Sequence, residues 1–325
     1  MNTILLAGAG GYIGLRIAKV LKERGYRVAA LDIRDDIPRE LYDDFLQVDF
    51  TESTSIEKSI DFIKKNKCTG LICAVGLVDY KVNYELLYKI NVETVKNILE
   101  IYRSTSHNFE LHGVFLGSVA SRGFSRTNDV INEDIDLYEK GISSYCDVKR
   151  EVENHIQEYT KRFNLNTIVL QPGSLVGKEL EGRKTTNIGL IEKIIKGFPL
   201  LSGGASYTSV NRVADAIVES LTSGESASTY LLGGENLSMK DFSVLVWQRY
   251  ALLLENAKVK NNAILPQLLS KILGTLGIVL SSQQVLLGNA FHCIDYSKAS
   301  KKLKYQHSKD DLIKEIDSIL EDIFA

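Results

Sequence analysis

The alternation of short apolar runs with helical segments in the first half of the chain constrains the fold more than any other feature. Thr3–Ala7 is an apolar run too short for a helix, and glycines follow it directly. Tyr12–Arg24 then has helical spacing, with its apolar side chains on one face, and Gly25 ends it. The pattern predicts a strand that feeds a helix through a glycine turn.

The same unit recurs along the chain. Further strands are predicted at Arg27–Leu31, Phe45–Val48, Gly70–Val75, Leu111–Leu116 and Thr167–Leu170. Helices are predicted near 54–66, near 83–103 and at Ser144–Arg162. Apolar strands that alternate with helices predict an α/β fold, in which helices cover both faces of a parallel sheet. Such sheets bind ligands at the carboxyl ends of their strands, so functional residues are expected directly after strands.

Composition excludes several classes of function. The chain has 325 residues with 39 basic and 41 acidic side chains interspersed, and a net charge of −2. Because nucleic-acid binding needs a clustered basic surface, no nucleic-acid partner is expected. The four cysteines form no close metal-type pair and the five histidines are scattered, so no metal site is expected and the thiols are predicted to be reduced.

No membrane span or export signal is predicted from the sequence. The N-terminal strand follows no basic segment, and the apolar stretch Ile264–Leu280 contains Lys271 and a proline near its start, Pro266. That stretch is too short and too interrupted to cross a bilayer. We therefore expect a cytoplasmic protein.

The glycine turn after the first strand predicts a phosphate-binding site. Gly8, Gly11 and Gly14 are spaced three apart and open the first helix. Side chains there would block the tight bend or keep a pyrophosphate from the backbone, and the N-terminus of the helix supplies N–H groups and partial positive charge. A plain tight turn is the alternative. The residues expected to contact a dinucleotide here are Gly8, Gly10, Gly11, Tyr12, Ile13 and Gly14.

An acid at the end of the second strand strengthens that prediction. Asp32 is placed to bind both hydroxyls of an adenosine ribose, and its charge repels a 2′-phosphate, which favours NAD over NADP. Arg34 leaves NADP possible, because a guanidinium can hold that phosphate. Asp49 and Phe50 follow the third strand and are placed to meet the adenine, although a helix-capping turn explains Asp49 almost as well.

A serine, a tyrosine and a lysine form the candidate catalytic group. Ser118 follows the fifth strand, and Tyr145 and Lys149 lie one helical turn apart in the next helix, so their side chains share a face. A phenol with a pKa near 10 is a poor base at neutral pH, and a neighbouring ammonium stabilises its phenolate. Tyr145 is therefore the predicted proton carrier, while Ser118 would orient the substrate oxygen. The same Tyr/Lys spacing at Tyr305 and Lys309 lies past the sheet and is interpreted as chance.

Together these motifs resemble the extended short-chain dehydrogenase/reductase family, in its dihydroflavonol-reductase-like branch. The likeness runs over nearly the whole chain, and the segment Tyr230–Ser238 is similar to that branch's YxLGGENxT. Asn91 matches the family's helix asparagine near the active site. The resemblance also implies that further residues line the cofactor, namely Ile33, Ala74, Val75, Gly76, Pro172 and Gly173, beside Tyr145 and Lys149.

The resemblance implies a Rossmann-type, doubly wound parallel sheet with a smaller, discontinuous C-terminal substrate domain. The dinucleotide-binding domain would comprise 1–173, about 205–235 and 291–305, and the substrate domain about 174–204 and 236–290. In the predicted substrate domain, apolar residues recur near helical spacing. They are predicted either to pack in the core of that domain or to form an apolar wall of the substrate pocket: Leu265, Leu268, Leu269, Ile272, Leu273, Leu276 and Ile278. Six other residues are predicted to border the pocket: Val78, Asp79, Tyr80, Lys81, Arg122 and Phe124.

The implied activity is an NAD(P)-dependent dehydrogenase or reductase that acts on a ketone, an aldehyde or a secondary alcohol, with an apolar body as one option. Two alternatives stay open: a nucleotide-sugar epimerase with tightly bound NAD, which uses the same residues, and a non-catalytic dinucleotide-binding protein. Dehydratases of the family carry a Thr-Asp-Glu cluster where this chain has Ser118-Val119-Ala120, so dehydration is not expected. Two of the helices resemble the pair that forms the family's dimer interface, which predicts a homodimer.

Overall fold

A computed structural model describes residues 2–79, 82–197, 201–261 and 289–324. The predicted pocket residues Tyr80 and Lys81 and the apolar stretch Ile264–Leu280 lie outside these ranges. Within them, the main sheet contains the strands β1 (Thr3–Ala7), β2 (Arg27–Asp32), β3 (Asp44–Gln47), β4 (Cys68–Cys73), β5 (Gly113–Leu116), β7 (Thr167–Pro172) and β10 (Ser228–Leu232).

These strands form a parallel sheet in the order β3-β2-β1-β4-β5-β7-β10. The order reverses between β1 and β4, which places the topological switch point beside the glycine turn that follows β1. The predicted α/β, doubly wound parallel sheet is therefore confirmed. Two predicted strand starts were wrong by two residues: β4 begins at Cys68 rather than Gly70, and β5 begins at Gly113 rather than Leu111. Cys68 and Cys73 are therefore the first and last residues of β4.

Helices cover both faces because successive strand residues point to opposite sides of a sheet. Ile4 and Leu6 join one apolar cluster, and Leu5 and Ala7 join the other. The first cluster is covered by α1 (Tyr12–Glu23), α7 (Val210–Glu219) and α9 (Ser297–Leu303). The second is covered by α2 (Thr54–Asn66), α4 (Thr94–Thr105) and α5 (Ser144–Phe163).

The helix predicted near 83–103 is interrupted, which corrects the sequence-based prediction. It consists of α3 (Tyr84–Tyr88), a π-type turn at Lys89–Glu93 and α4. A π-type turn inserts one extra residue into the helical ladder and is common at functional sites. Asn91 lies in the middle of this turn and is fully buried. The apolar pattern of residues 83–103 did not reveal this insertion.

A second sheet runs in the order β11-β9-β12-β6, and β8 also pairs with β9. Its strands are β6 (Val130–Ile131), β8 (Ser174–Val176), β9 (Gly204–Ser209), β11 (Glu235–Ser238) and β12 (Phe291–Ile294). The remaining helices pack around a third apolar cluster: α6 (Thr186–Ile195), α8 (Met239–Asn261) and α10 (Lys309–Phe324). The division into two domains stays a prediction.

Candidate active site

The glycine turn after β1 is held tightly between β2 and β4. Gly8 donates its N–H to Leu31 O at 2.9 Å, and Ala74 donates its N–H to Ala7 O at 2.9 Å. A Cβ added at Gly14 would lie 2.0 Å from Gly8 O, so no larger residue fits where α1 meets the turn. The turn and the start of α1 therefore pack more closely than a side chain at position 14 would permit.

The N-terminus of α1 fits the pyrophosphate of a dinucleotide. Gly11 caps the helix without a side-chain hydrogen bond, and no acidic residue lies in the first turn. The first N–H groups of a helix have no partner within the helix, and they carry the positive end of its dipole. Tyr12 and Ile13 begin the helix, so the predicted cofactor residues of this segment lie together at its N-terminus.

Asp32 ends β2 and is connected to the glycine turn. Its Oδ2 accepts the N–H of Gly10 at 2.7 Å, and its Oδ1 accepts the N–H of Arg34 at 2.9 Å. The residue is 7% exposed, and Ile33 beside it is 58% exposed. The carboxylate is thus fixed at the mouth of the crevice by two backbone donors. Its contact with a ribose stays a prediction.

The side chain of Arg34 is already engaged. Its Nε and Nη2 donate to the two carboxylate oxygens of Asp36 at 3.0 and 2.9 Å. A bidentate pair of this kind fixes the plane of the guanidinium. The sequence-based argument that Arg34 could hold a 2′-phosphate did not include this partner.

The segment after β3 forms a turn. Asp49 Oδ1 accepts the N–H of Thr51 at 2.8 Å, but Ser53 is the N-cap of α2, so the helix-capping role left open for Asp49 is not found. Phe50 is buried, and its carbonyl accepts the amide of Asn97 at 2.8 Å. Both residues lie beside the β2–β3 edge of the crevice, and their contact with an adenine stays a prediction.

Tyr145 and Lys149 lie on one face of α5, and both are nearly buried at 6% and 7% exposure. The Lys149 ammonium lies 5.6 Å from the centroid of the Tyr145 ring. Burial lowers the pKa of Lys149 to about 8. The structure therefore places a cation that titrates near neutral pH beside the candidate proton carrier.

Asn91 holds the Lys149 ammonium in place. Lys149 Nζ donates to Asn91 Oδ1 at 3.0 Å, and the same oxygen accepts the N–H of Leu77 at 3.1 Å. The Asn91 amide donates in turn to the carbonyls of Leu77 and Leu87 at 3.2 and 3.0 Å. The loop after β4 and the π-type turn thus meet at the lysine.

Gly76 keeps space open for that contact. A Cβ at this position would lie 2.9 Å from Lys149 Nζ and 3.1 Å from Asn91 Oδ1. Ala74, Val75 and Gly76 therefore form the bridge between the glycine turn and the buried lysine.

Ser118 lies at the carboxyl end of β5, where it caps a short helical turn at Val119–Arg122. Its hydroxyl accepts the N–H of Ala120 at 3.2 Å. This turn packs against α5, and Ala120 lines the same cavity as Tyr145. The serine is thus carried on a backbone segment that borders the tyrosine.

Arg122 does not line the cavity, contrary to the sequence-based prediction. Its Nη2 lies 3.3 Å from a carboxylate oxygen of Glu153, its Nε donates to Gln171 at 3.0 Å, and both charged groups are buried. Ser121 donates to the other oxygen of Glu153 at 2.7 Å. This network joins the Ser118 turn to α5 one helical turn beyond Lys149. Phe124 lies 5.7 Å from the ring of His292, which does line the cavity.

A cavity of about 270 Å³ opens between α5, α6 and the second sheet. Its described lining contains no acidic side chain, no lysine and no arginine. Burial lowers the pKa of His292 to about 4, so this ring is neutral at pH 7. The cavity is lined by Ala120, Tyr145, Cys146, Ser174, Thr186, Asn187, Leu190, Gly204, Ala205, Tyr207, Met239, Ala290 and His292.

The remaining predicted residues have structural contacts. Pro172 ends β7, and Gly173 donates its N–H to Leu232 O at 3.0 Å. Tyr305 is buried and donates its hydroxyl to Gly233 O at 2.6 Å, whereas Lys309 begins the separate helix α10. The second Tyr/Lys pair therefore does not share a helical face, in agreement with its interpretation as chance.

Sequence reasoning missed several lining residues. Asn187 and His292 come from elements distant along the chain, and no spacing marks them in the sequence. Tyr207 was not predicted to line the cavity either, and its ring stacks on that of Phe242 with the centroids 3.8 Å apart. Asp36 could have been noticed, because an acid two residues after Arg34 is an obvious candidate for its partner.

The chain is similar to one family model and to several known proteins. The model of the NAD dependent epimerase/dehydratase family matches residues 4–233. Among curated proteins, the chain is 26% identical over 235 residues to cinnamoyl-CoA reductase CAD2 of Medicago truncatula, across 66% of this chain and 71% of that protein. It is 28% identical over 102 residues to short-chain dehydrogenase/reductase family 42E member 1 of Danio rerio, across 30% of this chain and 25% of that protein.

Solved structures show the same fold. The crystal structure of gox2253 has a TM-score of 0.75 and 22% identity, with 99% of each chain covered. The UDP-glucose 4-epimerase of Thermus thermophilus in complex with NAD has a TM-score of 0.72 and 19% identity, with 98% of each chain covered. In the part of this chain that the structure describes, no helix has the length and apolarity to cross a bilayer, and no cluster of metal-ligating side chains occurs.

Proposed function

Because this chain belongs to the NAD dependent epimerase/dehydratase family, we propose that it is an NAD-dependent oxidoreductase. Its reaction would move a hydride between the nicotinamide and a ketone, an aldehyde or a secondary alcohol. The observation that carries the proposal is the buried group of Tyr145, Lys149 and Asn91 beside a cavity of neutral lining. A bound nicotinamide would accept or supply the hydride.

The cofactor-binding residues divide into two groups. The N-terminus of α1 would hold the pyrophosphate through backbone N–H groups, since Gly11 gives the helix no side-chain cap. Asp32, at the end of β2, would accept hydrogen bonds from the hydroxyls of the adenosine ribose. Ala74, Val75, Pro172 and Gly173 lie after strands of the same sheet and would form the walls of the crevice.

Tyr145 would donate a proton to the carbonyl oxygen during reduction and remove it during oxidation. The Lys149 ammonium stabilises negative charge on the phenol oxygen, which lowers the cost of that transfer. Asn91 keeps the ammonium aimed into the site, since its Oδ1 accepts from Lys149 at 3.0 Å. Ser118 would donate a hydrogen bond to the substrate oxygen and hold it near Tyr145.

The cavity supports an uncharged substrate with an apolar or aromatic body. Leu190, Tyr207 and Met239 supply apolar surface, whereas Thr186 and Asn187 supply neutral polar groups. Recognition of a nucleotide diphosphate normally uses cationic side chains, and the described lining contains none. This favours a reductase of small carbonyl compounds over the nucleotide-sugar epimerase, although both use the same catalytic residues.

A substrate panel tests the proposal. Purified protein is incubated with NADH or NADPH and with aldehydes, ketones, aromatic thioesters such as cinnamoyl-CoA, and UDP-glucose. We expect stoichiometric oxidation of NADH with at least one neutral carbonyl compound. Isomerisation of UDP-glucose without net consumption of cofactor would instead establish the epimerase. Dinucleotide binding without turnover of any compound would favour the non-catalytic alternative.

A further inference from the structure

The loop between β8 and α6 returns to the glycine turn through Arg183. Its Nε donates to Gly10 O at 3.1 Å, and its side chain is only 10% exposed. Arg183 also pairs with Leu180 through two backbone hydrogen bonds of 2.9 and 3.1 Å, which close the loop into a tight turn. The guanidinium is therefore a fixed part of the crevice rim.

Asp36 connects this arginine to a second one. Arg183 Nη2 donates to Asp36 Oδ1 at 2.6 Å and to the main-chain oxygen of Asp36 at 3.3 Å. The same carboxylate accepts the bidentate pair from Arg34 at 3.0 and 2.9 Å. One carboxylate thus occupies two guanidinium groups from segments far apart along the chain.

If Asp32 binds the adenosine ribose as proposed, this cluster would lie beside the 2′ position of that ribose. Gly10 is bonded on one side to Asp32, the predicted ribose ligand, and on the other side to Arg183. The backbone of Arg34 is bonded to the same Asp32. Arginines bind phosphates through their planar fork of donors, so two of them at this rim would form an anion site if they were not paired.

We propose that Asp36 selects NAD over NADP by occupying Arg34 and Arg183, which together form a latent 2′-phosphate site. The inference rests on the proposed function, since it takes the crevice as a dinucleotide site. Asp36 acts in two ways. Its carboxylate occupies donors of both guanidinium groups, and its negative charge reduces the net positive charge that they present to a phosphate.

We expect the preference for NAD over NADP to persist under mildly acidic conditions. The hydrogen bond from Arg34, together with the charge of Arg183, lowers the pKa of Asp36 to about 2. The carboxylate is therefore ionised throughout the pH range in which the protein would be assayed.

Equilibrium binding of NAD⁺ and NADP⁺, measured by calorimetry, tests the inference. Asp36→Asn keeps the size of the side chain and removes its charge. We expect NADP⁺ to bind this variant about tenfold or more tightly than wild type, since charge-assisted hydrogen bonds to a phosphate form in place of repulsion. The affinity for NAD⁺, which lacks that phosphate, should change by less than about threefold.

Two further variants make the result specific. Asp35→Asn removes the adjacent carboxylate, which makes no hydrogen bond or ion pair among the contacts of the described residues, and should leave the NADP⁺ affinity unchanged. Adding Arg183→Ala to Asp36→Asn should reverse most of the gain in NADP⁺ affinity.

The outcomes separate the two proposals. Wild type that binds NAD⁺, together with an Asp36→Asn variant that gains no affinity for NADP⁺, would overturn the inference and leave the proposed function intact. Tighter binding of NADP⁺ than of NAD⁺ by the wild type would also overturn the inference, and it would leave the proposed function intact. Wild type that binds neither dinucleotide would overturn both.

Discussion

The ammonium nitrogen of Lys149 lies 3.0 Å from the side-chain oxygen of Asn91, and both residues are buried. A lysine in that environment costs stability, because burial disfavours its charged form and lowers its pKa to about 8. The chain keeps this unfavourable charge next to Tyr145, where the proposed chemistry uses it. Strained or costly groups of this kind concentrate at functional sites.

Replacing the lysine should therefore stabilise the protein while removing its activity. The unfolded chain holds the lysine proton more tightly than the folded chain, so the penalty is complete below pH 8 and disappears as pH rises toward 10.5. A shift from 10.5 to about 8 corresponds to about 3 kcal/mol, and the lost hydrogen bond to Asn91 offsets about 1 kcal/mol of it. Denaturant unfolding should show Lys149→Met about 2 kcal/mol more stable than wild type at pH 7.

The difference between these two proteins should shrink steadily between pH 8 and pH 10.5. Comparing them as a pair cancels the titration of tyrosines and cysteines elsewhere. A variant less stable than wild type at pH 7 would mean that the buried ammonium contributes to folding, contrary to the argument.

The space at Gly76 should matter for turnover more than for folding. Its Cβ would press on the Lys149 ammonium and the Asn91 oxygen, and a flexible lysine can move away at small cost. We expect Gly76→Ala to lower turnover about tenfold or more, because small displacements of catalytic groups have large effects on rate. The melting temperature should change little.

Gly189→Ala is the matched control for this substitution. Gly189 lies within α6, and an added Cβ there meets no heavy atom within 4 Å. Equal activity losses in the two variants would show that the effect of Gly76→Ala is not local to the lysine.

Asp32→Ala should weaken the binding of NAD⁺ more than that of NADP⁺. The loss of a charged hydrogen-bond acceptor for the ribose corresponds to about a tenfold to hundredfold change in NAD⁺ affinity. The loss of affinity for NADP⁺ should be smaller, because the variant no longer has a carboxylate that repels the 2′-phosphate. Because Asp32 also accepts the N–H of Gly10, a thermal unfolding control is needed. Equal changes for both dinucleotides would contradict the ribose assignment.

The buried pair of Arg122 and Glu153 should be energetically coupled. Arg122→Ala leaves the Glu153 carboxylate buried without its cation and should cost about 3–5 kcal/mol of unfolding free energy. Adding Glu153→Ala removes the orphaned charge, so the double variant should lose much less than the sum of the single losses. Strictly additive losses in denaturant unfolding would show that the two groups do not interact.

Local pattern was sufficient to predict six of the seven strands of the main sheet, but not β10 or the strands of the second sheet. Apolar runs and glycine breaks locate β1, β2 and α1, because each depends on residues adjacent in sequence. The Tyr145–Lys149 face follows from helical periodicity alone. These predictions needed no information about distant contacts.

Features that depend on distant contacts could not be predicted. The contact between Arg183 and Asp36 was missed because Arg183 lies about 150 residues further on and meets Asp36 only in the folded chain. The orientation of Arg122 depends on Glu153 and Gln171, which come from a later helix and a later strand. Asn91, in the π-type turn, likewise contacts Leu77 and Lys149, which lie elsewhere along the chain.

The central claim is that Tyr145 transfers the proton while other residues bind the dinucleotide. It is tested most directly by measuring NADH binding and turnover in parallel for wild type and Tyr145→Phe, with the best carbonyl compound from the panel. We predict that the phenylalanine variant binds NADH with an affinity close to that of wild type and has no measurable turnover. Turnover by Tyr145→Phe at the wild-type rate would contradict the account.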